Sequence, residues 1–311
     1  MTTQLKAMLA PRPLLDGLRV GISGAVPERQ YWGEVGDLDR LILTFVAQLS
    51  ALIVRYGGEV VHGSQPLLAP IVAEQARRQS RKGTPSLKLF ASQVFGHIPE
   101  VTLRAALMAD AAVVLTAQVG KGGSSDPETR NNSLTAMRLA MTQDIDVLVA
   151  VGGKLHADTG FNPGVLEELA HARWHSVPCF VVGAFSGAVG RLEHPILEEL
   201  STGNLLSTET VPAISMATWT DTMDAYVGKL LVHLARHRDQ FVRHRPFENS
   251  SSTFLFSMET AVTEKFKAGA GVMTVDPKTV DAWSARFTEL MQSVKKRDTE
   301  HARKLLSTKG I

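Results

Sequence analysis

A single cysteine, Cys179, in 311 residues excludes an internal disulfide. The apolar run PCFVVG around it reads as a buried strand thiol in a reducing compartment rather than a reactive nucleophile. An excess of one charge sign is also missing. Thirty-three Lys and Arg against 31 Asp and Glu leave +2, so nucleic acid is not an expected partner and any anion site must be local. No apolar stretch approaches the roughly 20 residues needed to cross a bilayer, so no membrane contact is expected. The start MTTQLKAMLAPRPLLDG has one lysine and an apolar patch broken by Pro11 and Pro13, too little for a signal-peptide core. A cytoplasmic location is the expectation. No repeat or low-complexity segment is visible.

What is present is an ordinary folded composition, 44% apolar and 21% charged. From Leu18 onward, short β-rich runs alternate with helical patterns: LRVGIS (18–23), EVVHGS (59–64), LKLFAS (87–92), AAVVLTA (111–117), IDVLVAVGG (145–153) and PCFVVGA (178–184). Continuous apolar runs of this kind suit strands buried on both faces of a parallel sheet. Between the first two, Leu38, Leu41, Ile42, Phe45, Leu49, Leu52 and Ile53 recur at helical spacing and stop at Gly57 and Gly58. PLLAPIVAEQARRQ tolerates Pro70 only near its first turn. Further helices are expected around 101–109, 131–143 and 163–174, with Asn131, Asn132 and Ser133 as capping residues of the second of these. The pattern predicts a Rossmann-like, doubly wound α/β fold with a helical C-terminal extension, divided as 14–200 and 201–311.

In such sheets ligands bind at the carboxyl ends of the strands. Four loops there are unusual. SGAVPERQYWGEVGD follows the first strand and brings Ser23 and Gly24; HGSQP follows the second and brings His62, Gly63 and Ser64. Gly152 and Gly153 follow the fifth, with Asn162, Pro163 and Gly164 opening the next helix, and GAFSGAVG after the sixth contributes Ser186 and Gly187. Glycine-rich turns joined to helix N-termini offer backbone N–H groups to phosphate.

These segments occur in an order that resembles the SLOG superfamily. GISGAVPE, VVHGSQPLLAPI, LKLFASQVF, RNNSLTAMR and VGGK..GVLEELAHA..VPCFVVGAFSGA carry the likeness over about residues 18–192. That Rossmann-like group includes phosphoribohydrolases and domains that sense nucleotide-derived signals, some in bacterial defence. The resemblance implies a nucleotide-like ligand related to NAD or ADP-ribose, with no other cofactor and no metal. It matches Gly164, Val165, Leu166 and Glu167 to the family's glycine, two spacers and glutamate. In the phosphoribohydrolase branch that glutamate and an upstream arginine act on an N-glycosidic bond, which would make Glu167 and Arg130 catalytic, with Arg138 the alternative arginine. Here LHADTGFNP separates Gly153 from Gly164 and no threonine follows, a departure that counts against hydrolysis. Ligand binding or sensing is therefore the first expectation and N-glycosidic hydrolysis the second.

Other features have plainer readings. Glu168 reads as a first-turn glutamate that complements the helix dipole. His171 and His175 have the spacing of a zinc pair but lack a third ligand and an intervening glutamate of the metalloprotease type. The serines of GISGA and FSGA lack a GxSxG elbow. After residue 200 a helix is expected from Trp219 to about His237, and Lys229, Arg236, Arg238, Arg243 and Arg245 against Asp239 form a basic run. Val280, Trp283, Phe287, Leu290 and Val294 form an apolar stripe that must be covered by the α/β domain or another subunit. A homo-oligomer is expected, as is common in the families that the chain resembles.

Overall fold

The computed structural model describes residues 13–32, 37–81, 86–95, 100–109, 111–155, 163–192, 216–242 and 253–255, with Gln292 and Lys296. The stripe from Val280 to Val294, Arg243, Arg245 and Asn162 lie outside them. Strands β1 (Arg19–Ala25), β2 (Glu59–His62), β3 (Leu87–Ser92), β4 (Ala112–Thr116), β5 (Val147–Gly152) and β6 (Cys179–Val182) alternate with helices. The helices are α1 (Leu38–Arg55), α2 (Ala69–Gln79), α3 (Glu100–Ala109), α4 (Pro127–Asp144) and α5 (Gly164–Trp174), followed by α6 (Met216–Phe241).

The six strands are parallel in the order β6-β5-β1-β2-β3-β4, and a short β7 (Thr253–Leu255) adds antiparallel to β4. The chain thus winds outward from β1 to β4, then crosses back to place β5 on the other side of β1. That crossing puts α4 and α5 on the face opposite α1, α2 and α3, as right-handed crossovers require. The strand from the C-terminal third is an element that the apolar patterning did not announce.

Each of the six parallel strands feeds two cores. Val147, Val149 and Val151 of β5 join the layer under α1 and α2, while Leu148 and Ala150 join the layer under α4 and α5. Alternate side chains point to opposite faces, which is why these strands read as unbroken apolar runs. In α1 the predicted stripe is buried at Leu38, Leu41, Ile42, Phe45, Leu49 and Ile53, with Leu52 partly buried beside it. The helix ends where Gly58 N–H donates to Ile53 O at 2.9 Å and Gly57 N–H to Val54 O at 3.0 Å. These return bonds need a left-handed residue, and Gly57 supplies it at φ +87°. Helix α6 packs Val227, Leu230, Leu231, Leu234 and Phe241 into the α1 layer.

One local expectation is corrected. Helix α4 starts earlier than the Asn131–Asn132–Ser133 triplet, because Asp126 is its N-cap and accepts from Thr129 N–H at 3.0 Å. Pro127 takes the first helical position, where a missing N–H costs nothing. Arg130 therefore lies within the helix, not ahead of it.

At the amino ends of β1 to β3 a charge network closes the sheet. Arg19 reaches Glu59 at 2.8 Å and Asp144 at 2.7 Å, Lys88 reaches the other oxygen of Asp144 at 2.8 Å, and Arg19 N–H donates to Asp146 at 2.8 Å. Asp144 is the shared anion, so its loss leaves two cations in a largely dehydrated setting. Replacing it with Ala should destabilise the fold by about 3–5 kcal/mol; urea denaturation checks this, and an unchanged midpoint would show that the network contributes little.

Candidate functional site

The glycine turns after β5 and β6 hold each other. Gly152 and Gly153 have φ of +64° and +91°, and Gly187 has +72°. A Cβ at Gly152 would lie 2.5 Å from Ala25 O, and one at Gly187 would lie 2.6 Å from Gly153 O. Gly153 N–H donates to Ala25 O at 2.8 Å and Ala188 N–H to Gly153 O at 3.0 Å, while Ser186 N–H turns back to Gly183 O at 3.0 Å. These donors are used internally, so the turns brace the ends of β1, β5 and β6 against one another. Gly24 has a packing role as well, since a Cβ there would meet Leu68 and Val151 at 3.0 Å.

The residues that do converge lie on the α4/α5 side, where α5 crosses β1. Arg138 of α4 hydrogen-bonds and ion-pairs with Glu167 of α5, and Thr135, one turn earlier on α4, donates to the other Glu167 oxygen. His171 Nε2 lies 3.6 Å from Glu167 Oε1. Gly164 makes room for the arginine: a Cβ there would sit 2.9 Å from an Arg138 nitrogen. Glu167 is fully buried at 0% exposure. Burial pushes its carboxyl upward, but Arg138, His171 and Thr135 together outweigh that and hold it below the usual carboxylate range. Its oxygens are already engaged within the protein.

Its neighbour is placed differently. Glu168, with a side chain 13% exposed, lies with Oε1 3.8 Å from Arg138 Nε and 3.4 Å from where a Cβ of Gly63 would be. Burial raises its carboxyl above the ordinary value; the Glu167 charge adds to that, while Arg138 and the Ser23 hydroxyl pull the other way without winning. Ser23 is 1% exposed, and its hydroxyl faces the Glu168 carboxyl. Ser64, at φ +58°, carries a buried Oγ with no hydrogen-bond partner among the described residues. Ser23, Gly63 and Arg138 therefore surround Glu168 toward the carboxyl ends of β1 and β2, and Ser64 follows Gly63 in the same turn.

Like the glycine turns and Glu167, two further sequence-derived candidates fall outside this group. His62 donates from Nδ1 to Ile22 O at 2.9 Å, an assignment that follows because a carbonyl can only accept. Burial holds its imidazole below the ordinary value, against the opposing backbone contacts of Ile22 and Gln65. Arg130 donates to Ser124 O at 3.1 Å in the first turn of α4. It is about 12 Å along the helix from Arg138, at 1.5 Å per residue. The arginine that meets the glutamates is Arg138.

Sequence reasoning missed Thr135 and the exchange of roles between the adjacent glutamates. Spacing held part of the signal: Thr135 and Arg138 are three apart and share a helix face, whereas Glu167 and Glu168 diverge by about 100°. No pattern in the sequence says which of the two glutamates faces β1.

A parallel, doubly wound sheet with helices packed on both faces defines a Rossmann-like α/β domain. Residues 109–242, from the end of α3 through α6, match the family model described as SLOG cluster2. That match supports membership of the SLOG superfamily, a nucleotide-related group of binding or sensing domains. No curated protein matches it.

Two contrasts test this geometry. Glu167→Ala should cost about 3–5 kcal/mol, because it strands a buried guanidinium, whereas Glu168→Gln should stay within about 1 kcal/mol of wild type; paired urea melts decide, and equal costs would contradict the assignment. Gly187→Ala, which combines a left-handed φ with a backbone clash, should lower stability by about 1–3 kcal/mol, visible as a reduced Tm.

Proposed function

We propose that the protein binds and senses a nucleotide-derived small molecule of the NAD or ADP-ribose type in the cleft between β1, β2 and α5. The observation that carries this reading is the gathering of Ser23, Glu168 and the turn after β2 at one edge of the sheet, with the Ser64 hydroxyl of that turn buried and without a hydrogen-bond partner among the described residues. Buried polar groups are nearly always satisfied, and an orphan at a strand carboxyl edge points to a partner from outside the chain. Ribose hydroxyls suit Glu168, which accepts hydrogen bonds, and the left-handed turn at Ser64 suits a phosphate approaching the 62–66 loop. The turn at 183–187 is assigned no phosphate, because its N–H groups of Ser186 and Ala188 are engaged. Glu167 takes the role of positioning Arg138. The segment from 201 to 311 is proposed to couple ligand binding to self-assembly, in keeping with sensors of nucleotide signals in bacterial defence.

A second reading is N-glycosidic hydrolysis, and one observation favours it. A carboxyl raised above its usual range beside a guanidinium is equipped to donate a proton to a leaving base. Glu168, rather than Glu167, would then be the acid.

Thermal melts with AMP, NAD, ADP-ribose and cyclic ADP-ribose, followed by chromatography of each incubated ligand, separate the readings. A raised Tm with intact ligand supports sensing, and a released base supports hydrolysis. Gly63→Leu fills the space beside Glu168 and should abolish the shift while leaving the unliganded Tm within a few degrees; a shift that survives would place the ligand elsewhere.

A further inference from the structure

The two helix layers differ in what they show to solvent. On one face α1, α2 and α3 present exposed residues, Arg40, Arg55, Arg77, Arg78 and Arg104 among them, as outer helices do. On the other face nothing from Thr129 to Asp144 in α4, or from Gly164 to His175 along α5, is exposed. The described elements that pack extensively against these two helices are the strands beneath them, the Gln93–Phe95 turn and each other. That accounts for their inner and facing sides only.

Leu139 shows the discrepancy most plainly. It is 0% exposed and Ala136 is 1% exposed, yet neither belongs to the two core layers. Met137 and Met141 do belong, on the sheet side, and at about 100° per residue Leu139 points roughly 200° away from each. A leucine turned from the sheet and still fully buried needs a cover on the outer side of α4.

We propose that residues 276–296 of this chain are that cover, laid as a helix along α4 with Val280, Trp283, Phe287, Leu290 and Val294 turned inward. Three observations select this segment. Its apolar residues recur at helical spacing. Gln292 and Lys296, the described residues within it, are both helical and both exposed, and each lies roughly 200° around the helix from Val294, on the side away from the stripe. The lengths also match: the 18 residues of α4 span about 27 Å and the stripe about 21 Å, at a rise of about 1.5 Å per residue. The stripe is thereby buried within its own subunit rather than between copies, against the helix that carries Thr135 and Arg138. This holds whether or not a nucleotide binds, so it does not rest on the reading above.

The test uses the full chain. Asn132 and Gln143 share the Leu139 face of α4, one two turns before it and the other one turn after. Each is replaced in turn by Cys and labelled with a benzophenone maleimide, while Cys179 is buried. Isotopically light and heavy protein are mixed in urea, refolded together and illuminated, and the cross-linked peptides are identified by mass spectrometry. The expected products join α4 to residues 276–296 within one chain, light to light or heavy to heavy. Hybrid products would give the face to a second copy and overturn the proposal. Capture of 193–215 or 243–275 instead, or of nothing from either position, would overturn it as well. Independently, Phe287→Ala combined with Leu290→Ala should speed amide exchange over residues 135–140 by about tenfold or more and leave α1 unchanged, whereas unaltered exchange in α4 counts against the docking. Absence of any thermal shift with nucleotides would remove the binding reading and leave this one standing.

Discussion

The arrangement of α4 and α5 depends on one largely buried cation. Arg138 reaches across from α4 to the first turn of α5, where Gly164 gives it space and Glu167 takes its charge. A dehydrated ion pair adds little net stability over an apolar contact of the same shape, but removing either partner is costly. Its consequence here is geometric: it fixes the rotation of α5 over β1, and that rotation turns Glu168 toward Ser23 and Gly63. The cleft is thus a by-product of a structural pair one residue away.

The other end of the sheet is organised by the same physics. Asp144 is the last residue of α4 and anchors Lys88 and Arg19 from two strands. Helix α4 therefore carries a buried charge contact at its C-terminus and Arg138 two turns earlier, so it has little freedom to slide along the sheet. Between these contacts, Met137, Ala140 and Met141 pack on β-strand side chains and hold the helix down.

Much of the fold was legible before any coordinates. Six short apolar runs, often β-branched, became six parallel strands, because a strand buried on both faces has no reason to alternate with polar residues. The stripe of α1 and the stop at Gly57 were equally plain, since helical period and left-handed glycine are local properties. The start of α4 was misplaced, because Asn131 to Ser133 are acceptable caps in isolation and only the bond from Thr129 N–H shows that Asp126 does the work. The antiparallel pairing of β7 was out of reach, as it depends on a contact between residues 253–255 and 112–114 far away in the chain.

For the site, the sequence by itself determined the inventory: serine and glycine after β1, glycine and serine after β2, paired glutamates at the start of α5, and an arginine upstream. It also marked Gly152, Gly153 and Gly187 as positions where backbone must come close to something. Tertiary structure alone decided that this something is another loop of the same chain, because a close approach looks the same in sequence whether the neighbour is a phosphate or a carbonyl oxygen. It also decided that Arg138 rather than Arg130 meets the glutamates, and that Glu167 is spent inward while Glu168 faces the cleft. Adjacent helical residues differ by a rotation of about 100°, and that rotation is set by what the helix packs against.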